Sequence, residues 1–171
     1  PEVYFYKGKY YLFGSVKADD KCRATQIFVC DKIDGEYKPL SKKARTPEDW
    51  ECLDGTLYIE NGVPYMVFSH EWVQVHDGQI CAVRLKDDLT ETVGEPITLF
   101  KASDNKSVCE TNGKGSGDYV TDGPFLFNDK GKLKMLWSSF INNPTFQYRI
   151  MIAESDGGLL DGHWTHGVSD F

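Results

Sequence analysis

Residues 57–68 read L-Y-I-E-N-G-V-P-Y-M-V-F, two β-prone runs on either side of Asn61-Gly62. Both turn residues tolerate φ > 0, which a two-residue type I′ turn demands, so the stretch is committed to a tight antiparallel hairpin. The pattern occurs three times. Glu2 precedes Val3-Tyr4-Phe5-Tyr6, then Lys7-Gly8, then Tyr10-Tyr11-Leu12-Phe13. Asp122-Gly123-Pro124 precedes Phe125-Leu126-Phe127, then Asn128-Asp129-Lys130-Gly131, then Leu133 to Phe140. In each case an acid (Glu2, Asp54 or Asp122) stands just ahead of the first strand. The turn glycines Gly8, Gly62 and Gly131 lie about 55 to 70 residues apart, slightly longer than common propeller repeats.

Further strands complete each unit. Thr25 to Cys30, Gln79 to Leu85 and Tyr148 to Ala153 read as third strands. The segment Ile33-Asp34-Gly35-Glu36-Tyr37 turns into a short edge strand, Pro96 to Phe100 gives a fourth strand, and Leu160-Asp161-Gly162-His163-Trp164 repeats the first of these patterns. Helical apolar periodicity with caps is missing throughout. Three four-stranded antiparallel units predict an all-β fold, a β-propeller, in one domain with approximate blades 1–45, 46–112 and 113–171. The polar loop from Lys101 to Asp118 is long for a compact domain, and loops of that length are functional or disordered.

The first strand of a propeller blade lines the central channel, so this fold directs Glu2, Asp54 and Asp122 toward one cavity. A single acid before a strand is ordinary turn chemistry; its recurrence in all three units favours a shared site. The hairpin also returns His70-Glu71-Trp72 to the end where Asp54 stands, with Trp50 nearby in sequence.

A net charge of −7 argues against nucleic acid, whose binding is dominated by Lys and Arg on phosphate, and suits a neutral substrate. Aromatic residues make up 13% of the chain, which fits strands and sugar-stacking surfaces. The five cysteines form no CxxC pair and are odd in number, so they read as buried strand residues and not as a metal site or catalytic thiol. Asn105-Lys106-Ser107 is a glycosylation sequon, relevant only to a secreted eukaryotic protein. No apolar run is long enough to span a bilayer. The chain opens inside a strand pattern with no signal peptide, which predicts a fragment or a processed chain.

Three segments resemble glycoside hydrolase family 43. P-E-V-Y-F-Y-K-G-K-Y-Y-L-F is similar to the family's second-blade W-A-P-[DE]-V segment. L-D-G-T-L-Y-I-E-N-G-V-P-Y-M-V-F is similar to the third-blade segment with the middle catalytic aspartate. D-G-P-F-L-F-N-D-K-G-K-L-K-M-L-W-S-S-F is similar to the fourth-blade segment, where most members have E-G-P. The resemblance implies blades two to four of a five-bladed propeller. It also implies an inverting glycosidase acting on arabinofuranosyl or xylosyl linkages of plant-type polysaccharide.

By position, Asp54 matches the pKa-modulating aspartate and Asp122 the general acid. The general base belongs to blade one and has no counterpart here, so this chain alone is expected to be inactive. Asp122 is a methylene shorter than the usual Glu and sets its carboxyl about 1.5 Å back; a misplacement near 1 Å costs on the order of a hundredfold in rate. Glu71 is the alternative acid. Trp50, His70 and Trp72 are the candidate sugar contacts, Glu2 is assigned to substrate binding or to support of the cavity, and Trp137 and Trp164 read as blade packing.

The expected partners are an oligo- or polysaccharide and the missing blades of the same parent, with no nucleic acid and no membrane. No cofactor or metal is implied by the residues, and a channel calcium in the intact propeller is left open. The family favours a secreted or periplasmic location. The rival reading is a noncatalytic carbohydrate-binding propeller, kept alive by Asp122 in place of Glu.

Overall fold

The computed structural model describes residues 1–168; positions 169–171 of the third predicted unit lie outside the described residues. Among the described residues, twelve strands form three four-stranded antiparallel sheets, each in simple sequence order. The first holds β1 (Glu2–Tyr6), β2 (Lys9–Val16), β3 (Ala24–Cys30) and β4 (Lys38–Pro39). The second holds β5 (Cys52–Glu60), β6 (Val63–His70), β7 (Gln79–Leu85) and β8 (Thr92–Lys101), and the third β9 (Asp122–Asp129), β10 (Lys132–Asn142), β11 (Phe146–Ser155) and β12 (Trp164–Val168). One helical turn, α1 (Trp72–Val75), interrupts the second sheet between β6 and β7. The fold is that of three propeller-type blades in an open array.

The hairpin turns follow the sequence logic. Asn61 and Gly62 have φ of 51° and 81°, and Lys7-Gly8 and Lys130-Gly131 repeat the pattern. The third turn is therefore two residues long, with Asp129 paired to Lys132.

Burial separates the middle sheet from the outer two. Strand β10 alternates strictly between buried and partly exposed positions, as expected of a sheet with one covered face. Strand β6 is buried almost continuously, because it is covered on both sides. Met66 and Phe68 face the first sheet, in a core with Phe13, Ile27, Cys81 and Val83. Val67 faces the third, in a core with Ile80, Phe100, Met135, Trp137 and Trp164. Trp137 and Trp164 are packing residues, 0% and 4% exposed.

Asp54 was expected ahead of its strand; it lies inside β5. Leu53 pairs with Ser69 and Thr56 with Val67, so Asp54 and Gly55 together oppose Phe68 in a β-bulge. The third sheet repeats the irregularity, with Asp122 paired to Ser138 and Phe125 to Leu136. The bulge lets the ladder resume after an extra residue, which a turn-by-turn reading of the sequence does not register. Consequently the acids occupy different rungs. Asp54 matches Gly123, while Glu2, opposite Phe13, matches Thr56, opposite Val67. The order acid–strand–turn–strand recurs, but not the register.

The long loop is ordered by its own contacts. The Glu110 carboxylate accepts the backbone N–H groups of Gly115 and Gly117, and Tyr119 forms an isolated bridge with Asp77.

Candidate active site

Asp54 sits where all three sheets meet. Its φ of 53° is a left-handed conformation that Asp tolerates better than most residues. The bulge turns its backbone N–H to Ser15 Oγ of the first sheet at 2.9 Å. Its Oδ2 accepts Gly123 N–H of the third sheet at 3.0 Å. Gly55, the next residue, lies against the first sheet: its N–H donates to Thr25 Oγ1 at 3.0 Å.

Glu2 and Asp54 line one hollow of about 230 Å³ together with Phe13, Ser15, Gly55 and Gly123. Glu2 Oε2 accepts the Thr56 hydroxyl at 2.5 Å and also the Tyr4 hydroxyl. Asp122, expected in the same cavity, is not among the residues lining this hollow, which reaches only its neighbour Gly123. Asp122 Oδ2 accepts the Tyr148 hydroxyl at 2.7 Å. Burial pushes the Asp122 carboxyl above the usual aspartate range; the Tyr148 hydrogen bond and the Arg23 charge oppose the rise, and the Asp54 charge adds to it.

Glu71 is in a different situation. It is 5% exposed, and Arg23 Nη1 lies 2.6 and 2.9 Å from its two oxygens. Burial pushes the Glu71 carboxyl up and the Arg23 guanidinium pulls it down. Glu51 flanks the pair: it accepts the Arg23 backbone N–H at 2.7 Å and meets Lys17 Nζ at 2.8 Å. Lys17 first, then that backbone N–H, holds the Glu51 carboxyl below the usual glutamate range.

The expected sugar contacts are placed unequally. The Trp50 ring stacks on His70 at 4.1 Å and 8°, and His70 is 5% exposed. Gln74 Nε2 donates to Asp49 O, so its Oε1 faces His70 Nε2 at 2.8 Å as an acceptor. The imidazole therefore carries its proton on Nε2 and leaves Nδ1 bare and buried, with no partner among the described residues. Burial lowers the His70 pKa, favouring the neutral ring. Trp72 is partly exposed at the start of α1.

Sequence reasoning passed over Arg23, Ser15 and Tyr148. Each reaches the acids from a neighbouring strand or sheet, and no local motif marks that placement. Among the described residues, no group of three or more His, Cys, Asp or Glu side chains could hold a metal ion. All five cysteines are free.

The model of the family "Glycosyl hydrolases family 43" matches residues 1–167. The chain belongs to glycosyl hydrolase family 43. An endo-arabinase from Bacteroides thetaiotaomicron VPI-5482 is 43% identical, with a TM-score of 0.91 over 98% of this chain and 59% of that one. A thermostable family-43 glycoside hydrolase is 22% identical, with a TM-score of 0.79 over 100% and 54% of the two chains. An α-L-arabinofuranosidase from Lactobacillus brevis, 16% identical, has a TM-score of 0.73 over 99% and 54%; these last two likenesses speak for the fold. The family-43 chain described here thus spans 59% of the length of the endo-arabinase it matches. No match was found among curated proteins.

Proposed function

We propose that the chain forms blades two to four of an inverting glycoside hydrolase acting on arabinofuranosyl or xylosyl linkages. The 43% identity to an endo-arabinase favours the arabinofuranosyl side. Inversion needs a protonated carboxyl to protonate the leaving oxygen and an ionised one, roughly 6.5–9.5 Å away, to activate water. Asp122 is the general acid and Asp54 its modulator. The base comes from a blade beyond these three, so this segment alone does not turn over substrate. Glu2 supports the hollow from its rim, Trp50 and Trp72 offer ring faces to the sugar, and His70 backs Trp50.

The observation that carries this reading is the Asp54–Asp122 pair. The Asp54 carboxylate accepts the amide N–H that follows Asp122, and burial biases the Asp122 carboxyl toward its protonated form. Like charge close to a buried acid is the means by which such sites keep one carboxyl neutral. Glu71 is less suited to the acid role, because a single guanidinium nitrogen occupies both of its oxygens. It holds Arg23 beside Asp122.

The test uses a protein containing this chain together with the remaining blades. Asp122→Asn lowers kcat on arabino-oligosaccharide by about 10²–10⁴-fold, the range of general acid catalysis, while Glu71→Gln costs far less. Asp54→Asn removes the neighbouring charge, so the acid deprotonates at lower pH and the alkaline limb of the kcat profile moves down. Asp122 replaces the usual Glu, which supports a second reading, a carbohydrate-binding propeller. Tight oligosaccharide binding with no turnover in the unaltered protein would select it.

A further inference from the structure

The third sheet places one side chain against Asp122 in a way the reaction scheme leaves unused. Asp122 on β9 and Tyr148 on β11 flank β10. Their strands lie two spacings apart, about 9.5 Å, and Tyr148, which pairs with Phe140, stands two residues along the sheet from the rung of Asp122. Only a long side chain crosses that gap, and only over a small residue. The small residue opposite Asp122 is Ser138, which pairs with Asp122 on one side and Ile150 on the other, so the phenol of Tyr148 crosses on the diagonal. The Tyr148 ring is steadied edge-on against Phe140, with centroids 5.0 Å apart and planes at 62°. Phe140 is itself stacked on Phe146 at 4.8 Å and 10°. The phenol thus reaches Asp122 Oδ2 at 2.7 Å from a braced position.

We propose that Tyr148 is the positioning residue of this site: its hydroxyl fixes Asp122 Oδ2 as an acceptor, so that Oδ1 carries the proton given to the leaving oxygen. The proposal rests on the reading of Asp122 as the acid. A neutral carboxyl has one carbonyl oxygen and one hydroxyl oxygen, and a donor held on Oδ2 makes Oδ2 the carbonyl oxygen. In the reaction, the bond from the anomeric carbon to the leaving oxygen breaks. That oxygen keeps the electron pair and takes the Oδ1 proton. Water, giving a proton to the base carboxylate, adds its oxygen to the anomeric carbon. Asp122 is left ionised, and the Tyr148 hydroxyl then donates to a charged acceptor, where a hydrogen bond is strongest. A braced donor also narrows the arc that a shorter acid must search, which matters where Asp stands for Glu.

Three groups set the Asp122 titration besides burial: Tyr148 from β11, Asp54 from β5, and Arg23, whose partner Glu71 in turn feels the Asp122 charge. Tyr148→Phe removes the one that donates to the ionised form and keeps the ring packed on Phe140. In a protein containing the remaining blades, kcat on a methyl glycoside of an arabino-oligosaccharide falls about ten- to a hundredfold, as for a lost hydrogen bond to a charge. The fall is much smaller on the dinitrophenyl glycoside, whose leaving group needs no proton. The alkaline limb moves to higher pH, because the ionised carboxyl has lost a donor. Equal losses on both substrates, or an unmoved limb, overturn the proposal. Asp122→Asn run in parallel separates the layers: full methyl-glycoside turnover in that variant would remove the acid assignment itself. Loss there with a normal limb in Tyr148→Phe would remove only the positioning role. Carbon NMR titration of the Asp122 carboxyl gives a readout independent of turnover, with the pKa expected to rise in Tyr148→Phe and an unchanged value counting against the proposal.

Discussion

At the scale of residues, burial does to Asp122 what the proposed acid role requires and stability does not. A carboxyl whose folded pKa lies above its unfolded value binds its proton more tightly in the folded protein. Its adverse contribution is absent below the ordinary aspartate pKa of about 3.9. It sets in as pH rises past that value and is full once the pH exceeds the raised folded value. Asp122→Asn removes the ionisation and keeps an oxygen for the Tyr148 hydroxyl. Thermal melting should therefore show a higher Tm for the variant at pH 7, with the gain shrinking as pH falls and gone by about pH 3. A gain independent of pH would mean the charge was not its source. The opposite bookkeeping holds for Glu51, whose lowered pKa adds stability at neutral pH that is lost on acidification.

At the scale of elements, the hairpins were legible and the bulges were not. Asn61-Gly62 announced its turn because two adjacent positive φ values restrict which residues fit, and Gln79–Leu85 is a strand with the bounds that its sequence suggested. Strand β8 begins at Thr92, four residues before the expected Pro96, because register shifts along β7 let the ladder continue past irregular rungs. The same kind of shift moved Asp54 into its strand. A bulge leaves no periodic trace; it is stabilised by what the neighbouring sheet offers, here Ser15 and Thr25. That dependence is testable. A Cβ on Gly55 would meet the Thr25 side chain at 2.5 Å, whereas one on Gly123 would meet nothing within 4 Å. Gly55→Ala should cost about 1–3 kcal/mol through overpacking and displace Asp54. Gly123→Ala, strained only by its φ of +55°, should cost about 1 kcal/mol. Urea unfolding of the two variants measures the difference, and equal costs would show that the bulge does not rest on Thr25.

At the scale of the whole molecule, the middle sheet is finished and the outer two are not. Val3 and Phe5 stand exposed on the outer face of the first sheet. Phe125, Phe146, Tyr148 and Ile150 do so on the third. Contiguous apolar surface of this kind marks an interface. The proposed arrangement covers both faces with the blades that close the propeller, and two experiments of opposite sign follow from it. In the 171-residue segment expressed alone, the faces are open to water and should drive self-association. Phe5→Lys with Ile150→Lys should then lower the apparent mass in sedimentation without lowering Tm. In a protein with the remaining blades, the same two lysines would be forced into covered apolar surroundings. Each forfeits about 1.5–3 kcal/mol of burial and adds the cost of an unpaired charge, so Tm should fall sharply. Lysines that leave that Tm unchanged would mean that neither outer face is covered by a neighbouring blade. The two end sheets would then have to be stable with Phe5, Phe125, Phe146 and Ile150 in water, each forgoing the stabilisation that burial of a large apolar side chain gives.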